Sequence, residues 1–429
     1  MINKKFVLQT PRGTYDILPE QQNLWRQIET VMFEYSENFG FKKITTPYFE
    51  YDWIFSKSIG EQTDIVKKEM YELSRGGAPL GLSLRPEGTA GVVRAYYSHG
   101  LYTEPTPLRL YYYGPMFRHE KPQRGRFRQF YQFGVESIGD IDPSEDSLII
   151  TLGNQILSAL EIPPNKYNLE INSIGCEICR PKYIDKLRKY LKKISKNLCD
   201  ECTVRSVENP LRVFDCKVKK CQKNLNAAPL TLDNLCSACK DHFKNVLEYL
   251  EETDISFTIN YKLVRGLDYY TKTVFEFVSN SGSTAGQALI AGGRYDNLIE
   301  KFGRRSAPAI GFGIGIERTI SLLDDLGIKH RKENIKKVFI IQLGNSAKKK
   351  AISLIRELAS AKICADSSFS RDSLKSQLRA ASRSGARYAI IIGQREILDN
   401  TVIIKDMQSG GQEIVDQGNY LSNILSKLQ

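Results

Sequence analysis

The sequence predicts an α+β fold: an antiparallel sheet flanked by helices, a cysteine-rich inserted domain, and a C-terminal α/β domain. Three observations carry this. Leu108 to Met116 is rich in aromatics and Phe130 to Ser137 alternates apolar with polar, which predicts a two-stranded hairpin with a long basic loop at its tip. Residues 171–262 are lysine-rich and hold eight of the nine cysteines. After a charged stretch, Lys329 to Ile335, the pattern becomes strand (Val338–Leu343), helix (Ala347–Ser360), helix, strand (Tyr388–Ile392), which predicts a small three-layer domain.

The remaining elements follow in chain order. Trp25, Ile28, Met32, Tyr35 and Phe39 recur at three or four residues and predict an amphipathic helix, stopped by Gly40. A strand-like run, Phe41 to Thr46, precedes Pro47. Strands and turns resume from Leu263 to Ile316 and lead into a helix ending near Gly327. The expected organisation is a core of 1–170 and 263–328, an insert of 171–262, a linker of 329–335 and a final domain of 336–429. At 429 residues, two or three domains are expected. There is no internal repeat and no low-complexity tract.

With 41% hydrophobic and 26% charged residues, the composition is that of a globular protein, and no stretch is long and apolar enough to span a bilayer. The start, MINKKFVLQTPRG, has no apolar core of a secretion signal. A cytoplasmic address with reduced cysteines is expected. The net charge of +12 is uneven: residues 329–429 hold 18 Lys+Arg against 9 Asp+Glu, and residues 171–262 hold 17 against 12. Basic appendages on a near-neutral body point to a polyanionic partner.

The chemistry-bearing residues cluster. The hairpin loop FRHEKPQRGRFRQF, Phe117 to Phe130, holds Arg118, Arg124, Arg126 and Arg128 with His119, Lys121 and Gln123. Arginine forks bind phosphate bidentately. A merely solvated hairpin would account for these cations but not for Phe130, Gln132 and Glu136. In LVRGLDYYTKTVFEF, Leu263 to Phe277, Arg265 and Asp268 flank a glycine, and Tyr269 and Tyr270 follow. AGGRYDNLI, Ala291 to Ile299, adds Arg294 and Tyr295. The alternating glycines of GFGIGIER, Gly311 to Arg318, predict a strand pressed against a ligand or another backbone, with Glu317 and Arg318 opening the next helix.

These blocks together resemble histidyl-tRNA synthetase, a class II aminoacyl-tRNA synthetase. The first helix, strand and Pro47 resemble class II motif 1, Phe117 to Glu136 motif 2, and Gly311 to Arg318 motif 3. RPEGTA (Arg85 to Ala90) and PRGTYDILP (Pro11 to Pro19) match the family, and LVRGLDYY and AGGRYD resemble its two histidine-specific blocks. GARYAIIIG (Gly385 to Gly393) and IIKDM (Ile403 to Met407) resemble its anticodon-binding domain. The resemblance covers nearly the whole chain.

It implies a class II catalytic sheet and a two-step reaction: ATP converts L-histidine to histidyl-adenylate with release of pyrophosphate, and tRNA(His) takes the histidyl group at its 3′ end, leaving AMP. By resemblance Arg118 holds the α-phosphate, Phe130 stacks on adenine, and Glu120 contacts its amino edge. Arg126 and Arg318 reach the outer phosphates, and Arg265 meets the charge that develops at the α-phosphate. Mg²⁺ rides on the ATP phosphates. The histidine ammonium calls for acceptors, supplied by Glu87, Thr89 and Gln132. The imidazole calls for Glu136 and Tyr270, with Tyr295 nearby; Gly88 and Tyr269 join the histidine-binding set. Motif 1 implies a homodimer. The alternative is a catalytically inactive, synthetase-like regulatory subunit of histidine biosynthesis. That paralogue lacks the arginine block and the anticodon domain, and both are present here.

The cysteines form four pairs by spacing alone: Cys176 and Cys179, Cys199 and Cys202, Cys216 and Cys221, Cys236 and Cys239. Three are C-x₂-C and one is C-x₄-C, knuckle spacings suited to structural Zn²⁺. Eight thiols make two four-cysteine sites, and the pairs can couple in three ways that spacing does not distinguish.

Overall fold

Alternation across ten rungs builds the hairpin, from Leu108 opposite Ile138 to Phe117 opposite Gln129. The computed structural model describes residues 8–122, 125–303, 305–328 and 337–428. Gln123, Arg124 and the expected linker 329–335 lie outside them. Two units form, Met1–His330 and Arg331–Gln429.

In chain order the strands of the first unit are β1 (Lys42–Lys43), β2 (Phe49–Tyr51), β3 (Tyr71–Arg75), β4 (Ala78–Leu84), β5 (Leu108–Phe117), β6 (Gln129–Ile138), β7 (Tyr167–Ser173), β8 (Phe257–Ile259), β9 (Thr271–Ser279), β10 (Ala288–Arg294) and β11 (Ala309–Gly315). Eight of them form one sheet in the order β1-β5-β6-β11-β10-β9-β7-β8, while β2, β4 and β3 make a small separate sheet. The interior pairings are antiparallel, as expected. Both edge pairings, β1 with β5 and β7 with β8, are parallel, a detail that the expected antiparallel sheet did not specify. The strand expected over Phe41–Thr46 shrinks to two paired residues, because the chain turns toward Pro47.

One face of the sheet is closed by the helices Pro19–Asn38, Pro143–Ala159, Ser237–Glu252 and Ile316–Asp325, whose apolar stripes meet Phe133, Val135, Phe275, Phe277 and Phe312. The first helix ends where Gly40 takes a left-handed φ of 82°. The second begins at Asp142, whose side chain accepts from the Ser144 N–H at 2.9 Å, followed by Pro143 at the first helical position. The opposite face carries the helix Thr89–Ser98 and a cluster of tyrosines.

The segment expected as an insert over 171–262 is shared with the core. Its first residues finish β7, β8 joins the main sheet, and Phe243, Val246 and Leu250 of the helix Ser237–Glu252 belong to the main apolar core. What stands apart is a small cluster of Tyr183, Leu187, Leu191, Val213 and Leu225 with Cys202, Cys216 and Cys221.

The second unit has β12 (Lys337–Gln342), β13 (Cys364–Ser367), β14 (Tyr388–Ile392), β15 (Thr401–Asp406) and β16 (Gln412–Asp416), ordered β13-β12-β14-β15-β16. Val338 and Ile340 pack with the helices Asn345–Ser360 and Tyr420–Leu428. Phe339 and Ile341 pack with the helix Leu374–Arg383 on the other side, giving the expected three layers. The short edge strand β13 had no sequence signal, since only four residues form it. Among the described residues no helix is long and apolar enough to cross a membrane.

Arg294, at the end of β10, is fully buried. Its Nε donates to Asp146 Oδ1 at 2.9 Å and its Nη1 to the Asp140 carbonyl at 2.8 Å, and Asp146 also meets His242 Nε2 at 2.5 Å. This network bolts β10 to two helices. Removing one partner leaves a buried charge uncompensated, so Asp146→Ala should cost about 3–5 kcal/mol. Glu248→Ala, which breaks the exposed pair with Lys244, should cost roughly 0–1 kcal/mol. Denaturant unfolding of the full chain measures both, and equal midpoints would refute the ranking.

Candidate active site

A pocket opens on the tyrosine-rich face of the sheet, and every residue singled out for histidine or ATP, except Gly88, lines it. Gly88 precedes the helix Thr89–Ser98, and a Cβ there would fall 2.2 Å from the Tyr112 ring. The missing side chain makes room for that ring.

The deep end is built around Glu136 of β6, which is 2% exposed. Its Oε1 accepts from Thr89 Oγ1 at 2.7 Å and from the Tyr112 hydroxyl at 3.3 Å, and its Oε2 accepts from the Tyr295 hydroxyl at 2.5 Å. Burial pushes the Glu136 carboxyl up to about 8, against the pull of Tyr295 and Thr89. Glu87 is also buried, and burial raises its pKa. Its two oxygens accept the N–H groups of Thr89 at 2.7 Å and Ala90 at 2.9 Å, so it caps the helix as well as facing the pocket. Gln132 Oε1 is buried with no hydrogen-bond partner, an acceptor waiting for a donor. Tyr269 packs between Tyr270, tilted against it at 44°, and Tyr295, edge-on at 67°, with ring centroids 4.7 and 5.6 Å apart.

The glycines of β11 explain how Glu136 and Gln132 fit. A Cβ on Gly311 would lie 2.0 Å from Glu136 Oε2, and one on Gly313 would lie 2.4 Å from Gln132 Nε2. The close approach expected from alternating glycines is to these two side chains and to β10, whose Gly292 would put a Cβ 2.4 Å from the Gly311 carbonyl.

The other end is cationic. Arg118 lies over Phe130 at 5.2 Å and donates from Nε to the Pro86 carbonyl at 2.9 Å. Arg126 pairs with Glu120 at 3.1 Å, and Arg118 approaches Glu120 at 3.7 Å. Glu120 and one face of Phe130 are thus engaged by arginines. Arg318 donates to the Gly125 carbonyl at 3.2 Å and the Ala288 carbonyl at 2.9 Å. Burial first, then the charges of Arg126 and Arg118, lowers the Arg318 pKa. Of the three guanidinium groups lining this end, Glu120 compensates two, and Arg318 meets only carbonyls among its hydrogen-bond partners. Arg128 turns away and packs along Gly13.

Arg265 pairs with Glu276 of β9, and its Nε is buried without a partner. Sequence reasoning missed Glu276; the only signal was a carboxylate alternating with the buried Phe275 and Phe277. It missed Tyr112 too, and the task of Glu317, which accepts from the Tyr15 hydroxyl at 2.7 Å and the Tyr131 N–H at 2.8 Å. Burial raises Glu317 to about 7.

The family model described as histidyl-tRNA synthetase matches residues 13–319. The chain belongs to the histidyl-tRNA synthetase family. A second model, the anticodon binding domain, matches residues 337–427. A curated relative from Halothermothrix orenii, named histidine–tRNA ligase, is 43% identical over 422 residues, covering 98% of this chain and 99% of its own. Another of that name, from Thermodesulfovibrio yellowstonii, is 45% identical over 402 residues and covers 94% of each chain. The solved structure of apo histidyl-tRNA synthetase from S. aureus superposes with a TM-score of 0.80 at 34% identity, covering 97% of this chain and 100% of that one.

The family's glycine strand yields a graded expectation. Gly311→Ala pushes a methyl into both the Glu136 carboxylate and the Val135 carbonyl, and should destabilise by about 1–3 kcal/mol. Gly315→Ala meets nothing nearer than 3.7 Å and should be close to neutral. Unfolding midpoints of the two variants test the order, and a Gly311→Ala protein as stable as the parent would refute it.

Proposed function

We propose that this chain activates L-histidine with ATP to histidyl-adenylate and transfers it to the 3′ end of tRNA(His), releasing pyrophosphate and AMP. The carrying observation is the polarity of the pocket: two buried carboxyl groups, Glu136 and Glu87, at the deep end and Arg118, Arg126 and Arg318 at the other. An amino acid with a protonatable ring and a polyphosphate fill those two ends. The full-length similarity to histidine–tRNA ligases favours the enzyme over the inactive regulatory subunit.

In this reading Glu136 receives the imidazole, with Tyr270 and the Tyr295 hydroxyl beside it. Glu87, Thr89 and the partnerless Gln132 Oε1 receive the ammonium. Arg118 holds the α-phosphate, and Phe130 stacks on adenine with Glu120 at its amino edge. Arg126 and Arg318 hold the outer phosphates. Arg265 stabilises the charge gained at the α-phosphate as the carboxylate attacks, and Glu276 holds it in place. Glu120 and Glu317 offer oxygen donors among the guanidinium groups, which fits Mg²⁺ held mainly by substrate phosphates. Mg²⁺ would supply neutralisation of phosphate charge. Structural zinc on the cysteines is a separate part of the reading.

The core of 1–170 and 263–328 carries the chemistry, 171–262 supplies an insert that shares β7, β8 and the helix Ser237–Glu252 with that core, and 336–429 binds the anticodon. The enzyme acts in the cytoplasm as a homodimer. Tyr48, Phe49, Tyr51 and Trp53, in the segment that follows the motif 1 strand, are 48–57% exposed, a row of aromatics that a partner would cover. Sedimentation tests this: Phe49→Asp with Trp53→Glu should sediment as a monomer, and an unchanged coefficient would refute the interface.

Histidine-dependent exchange of pyrophosphate into ATP tests the reaction, and equal exchange with glycine or proline would sink it. In this assay Arg265→Ala should lower turnover while leaving histidine affinity nearly intact. The pH profile carries a sign. Glu136 keeps its proton up to about 8, and free imidazole is neutral above roughly 6.5. Between these values the two partners bring one proton to share. Below the window both are protonated, and above it neither is. kcat/KM for histidine should therefore be bell-shaped, and Glu136→Gln should erase the limb near 8. A basic limb that survives Glu136→Gln would remove that assignment.

A further inference from the structure

The structure decides how the four cysteine pairs couple. Cys176, Cys179, Cys236 and Cys239 form one group, and Cys199, Cys202, Cys216 and Cys221 another. Within each group all four Sγ atoms lie within 4.8 Å of one another. The near pairs are Cys176–Cys179 at 3.8 Å, and Cys176–Cys236, Cys179–Cys239 and Cys199–Cys216 at 3.9 Å. Four thiolates at about 2.3 Å from one Zn²⁺ in a tetrahedron stand about 3.8 Å apart. The separations are those of ligands around one ion. They are nearly twice the roughly 2.05 Å of a disulfide, and all eight thiols are free. Sulfurs this close leave room for a single ion and none for a cluster with its own sulfides.

We propose that each group holds one structural zinc, and that the two ions fasten the insert to the strand and loop that present Tyr270 and Arg265. Each ion has four protein ligands and no open position, which makes it structural. The inference stands apart from the catalytic reading, since neither site shares a residue with the pocket.

The first site joins the end of β7 to the start of the helix Ser237–Glu252. Gly175 turns the chain with a φ of 71°, and a Cβ there would lie 2.8 Å from Cys179 Sγ. The next residue after Cys179, Arg180, donates to the carbonyls of Ile174 at 3.1 Å, Gly175 at 3.0 Å and Tyr270 at 2.6 Å. The Lys272 N–H closes the circuit on the Gly175 carbonyl at 2.9 Å. The knuckle is tied directly to the backbone of Tyr270.

The second site sits inside the small apolar cluster of the insert. The N–H of Cys199 donates to Cys221 Sγ at 3.2 Å and that of Val218 to Cys216 Sγ at 3.4 Å, the kind of donors that orient and stabilise thiolate ligands. The helix Asp200–Glu208 and the turn after it then reach the core. Arg205 pairs with Asp64 at 3.0 Å, Asn209 donates to Asp268 at 2.7 Å, and Arg212 donates to the Arg265 carbonyl at 3.2 Å. A cluster this small does not close by apolar burial alone, and a metal supplies the missing stability.

The test is elemental analysis of the full chain purified without added metal or a metal-affinity step. Two zinc ions per chain are expected, with one thiol, the exposed Cys364, reacting in the native protein and all nine after denaturation with a chelator. The double variants read the coupling. Cys176→Ser with Cys236→Ser removes ligands of one site and should keep one zinc. Cys176→Ser with Cys199→Ser strikes both sites and should keep none. Loss of both ions in the first variant would overturn the coupling. Less than about half a zinc per chain, with all thiols reactive in the native state, would overturn the sites themselves, because a closed site retains its metal and shields its ligands. Stoichiometric iron would overturn zinc. Where a double variant fails to fold, cobalt exchanged into the parent chain keeps the test open: two tetrahedral tetrathiolate Co²⁺ spectra support the sites, and octahedral spectra refute them.

Discussion

Glu136 is a carboxyl group shut away from the surface, and much of the pocket exists to make that tolerable. An unpaired buried acid is costly, so its oxygens must meet donors or keep a proton. The donors come from places distant in sequence: Thr89 at a helix start, Tyr112 on β5 and Tyr295 just after β10. Each is useful only if β6 lies between β5 and β11, and if β11 offers no side chain at Gly311. The sheet order, the glycine strand and the helix cap by Glu87 all serve one desolvated group.

The cationic end solves the opposite problem. Arg118, Arg126 and Arg318 repel one another, and Glu120 compensates two of them. Polyphosphate would take over from Glu120 and free it for another contact. Arg265 is held differently: Glu276 fixes its head and Arg212 its carbonyl, while its Nε is left with no partner. A guanidinium clamped at one edge with a spare donor at another is suited to charge that appears only during reaction.

What the sequence made legible was local. Apolar alternation gave the β5–β6 hairpin, and the glycine spacing of Gly311 to Gly315 announced a close approach. The object of that approach was hidden, because it depends on pairing residue 311 with residue 136. Glu276 stayed hidden because its meaning lies across the pocket at Arg265. The parallel edges were illegible for the same reason: β1 and β8 are two and three residues long and owe their existence to neighbours. Arg128, one of four arginines in the loop, was indistinguishable by type from those that face the pocket, and only the path of the N-terminal segment past Gly13 turns it away.

The cysteines mark the same limit from the other side. Knuckle spacing announces ligands, since two thiols a helical turn apart can face one ion. Coupling is a tertiary fact. The first pair takes the last because β7 belongs to the main sheet and the helix Ser237–Glu252 packs on it, which brings Cys176 and Cys236 together across 59 intervening residues. The two middle pairs are left to each other. With zinc bound, that nesting would place one closed cross-link at the base of the insert and one within it. The base link is bonded through Arg180 to the Tyr270 carbonyl, and the inner one through Arg212 to the Arg265 carbonyl. The insert could then hold two backbone positions of the pocket wall at fixed distance. Apolar packing of the small cluster would do this less well, because side chains in such a cluster repack at small cost, whereas metal–sulfur distances do not stretch.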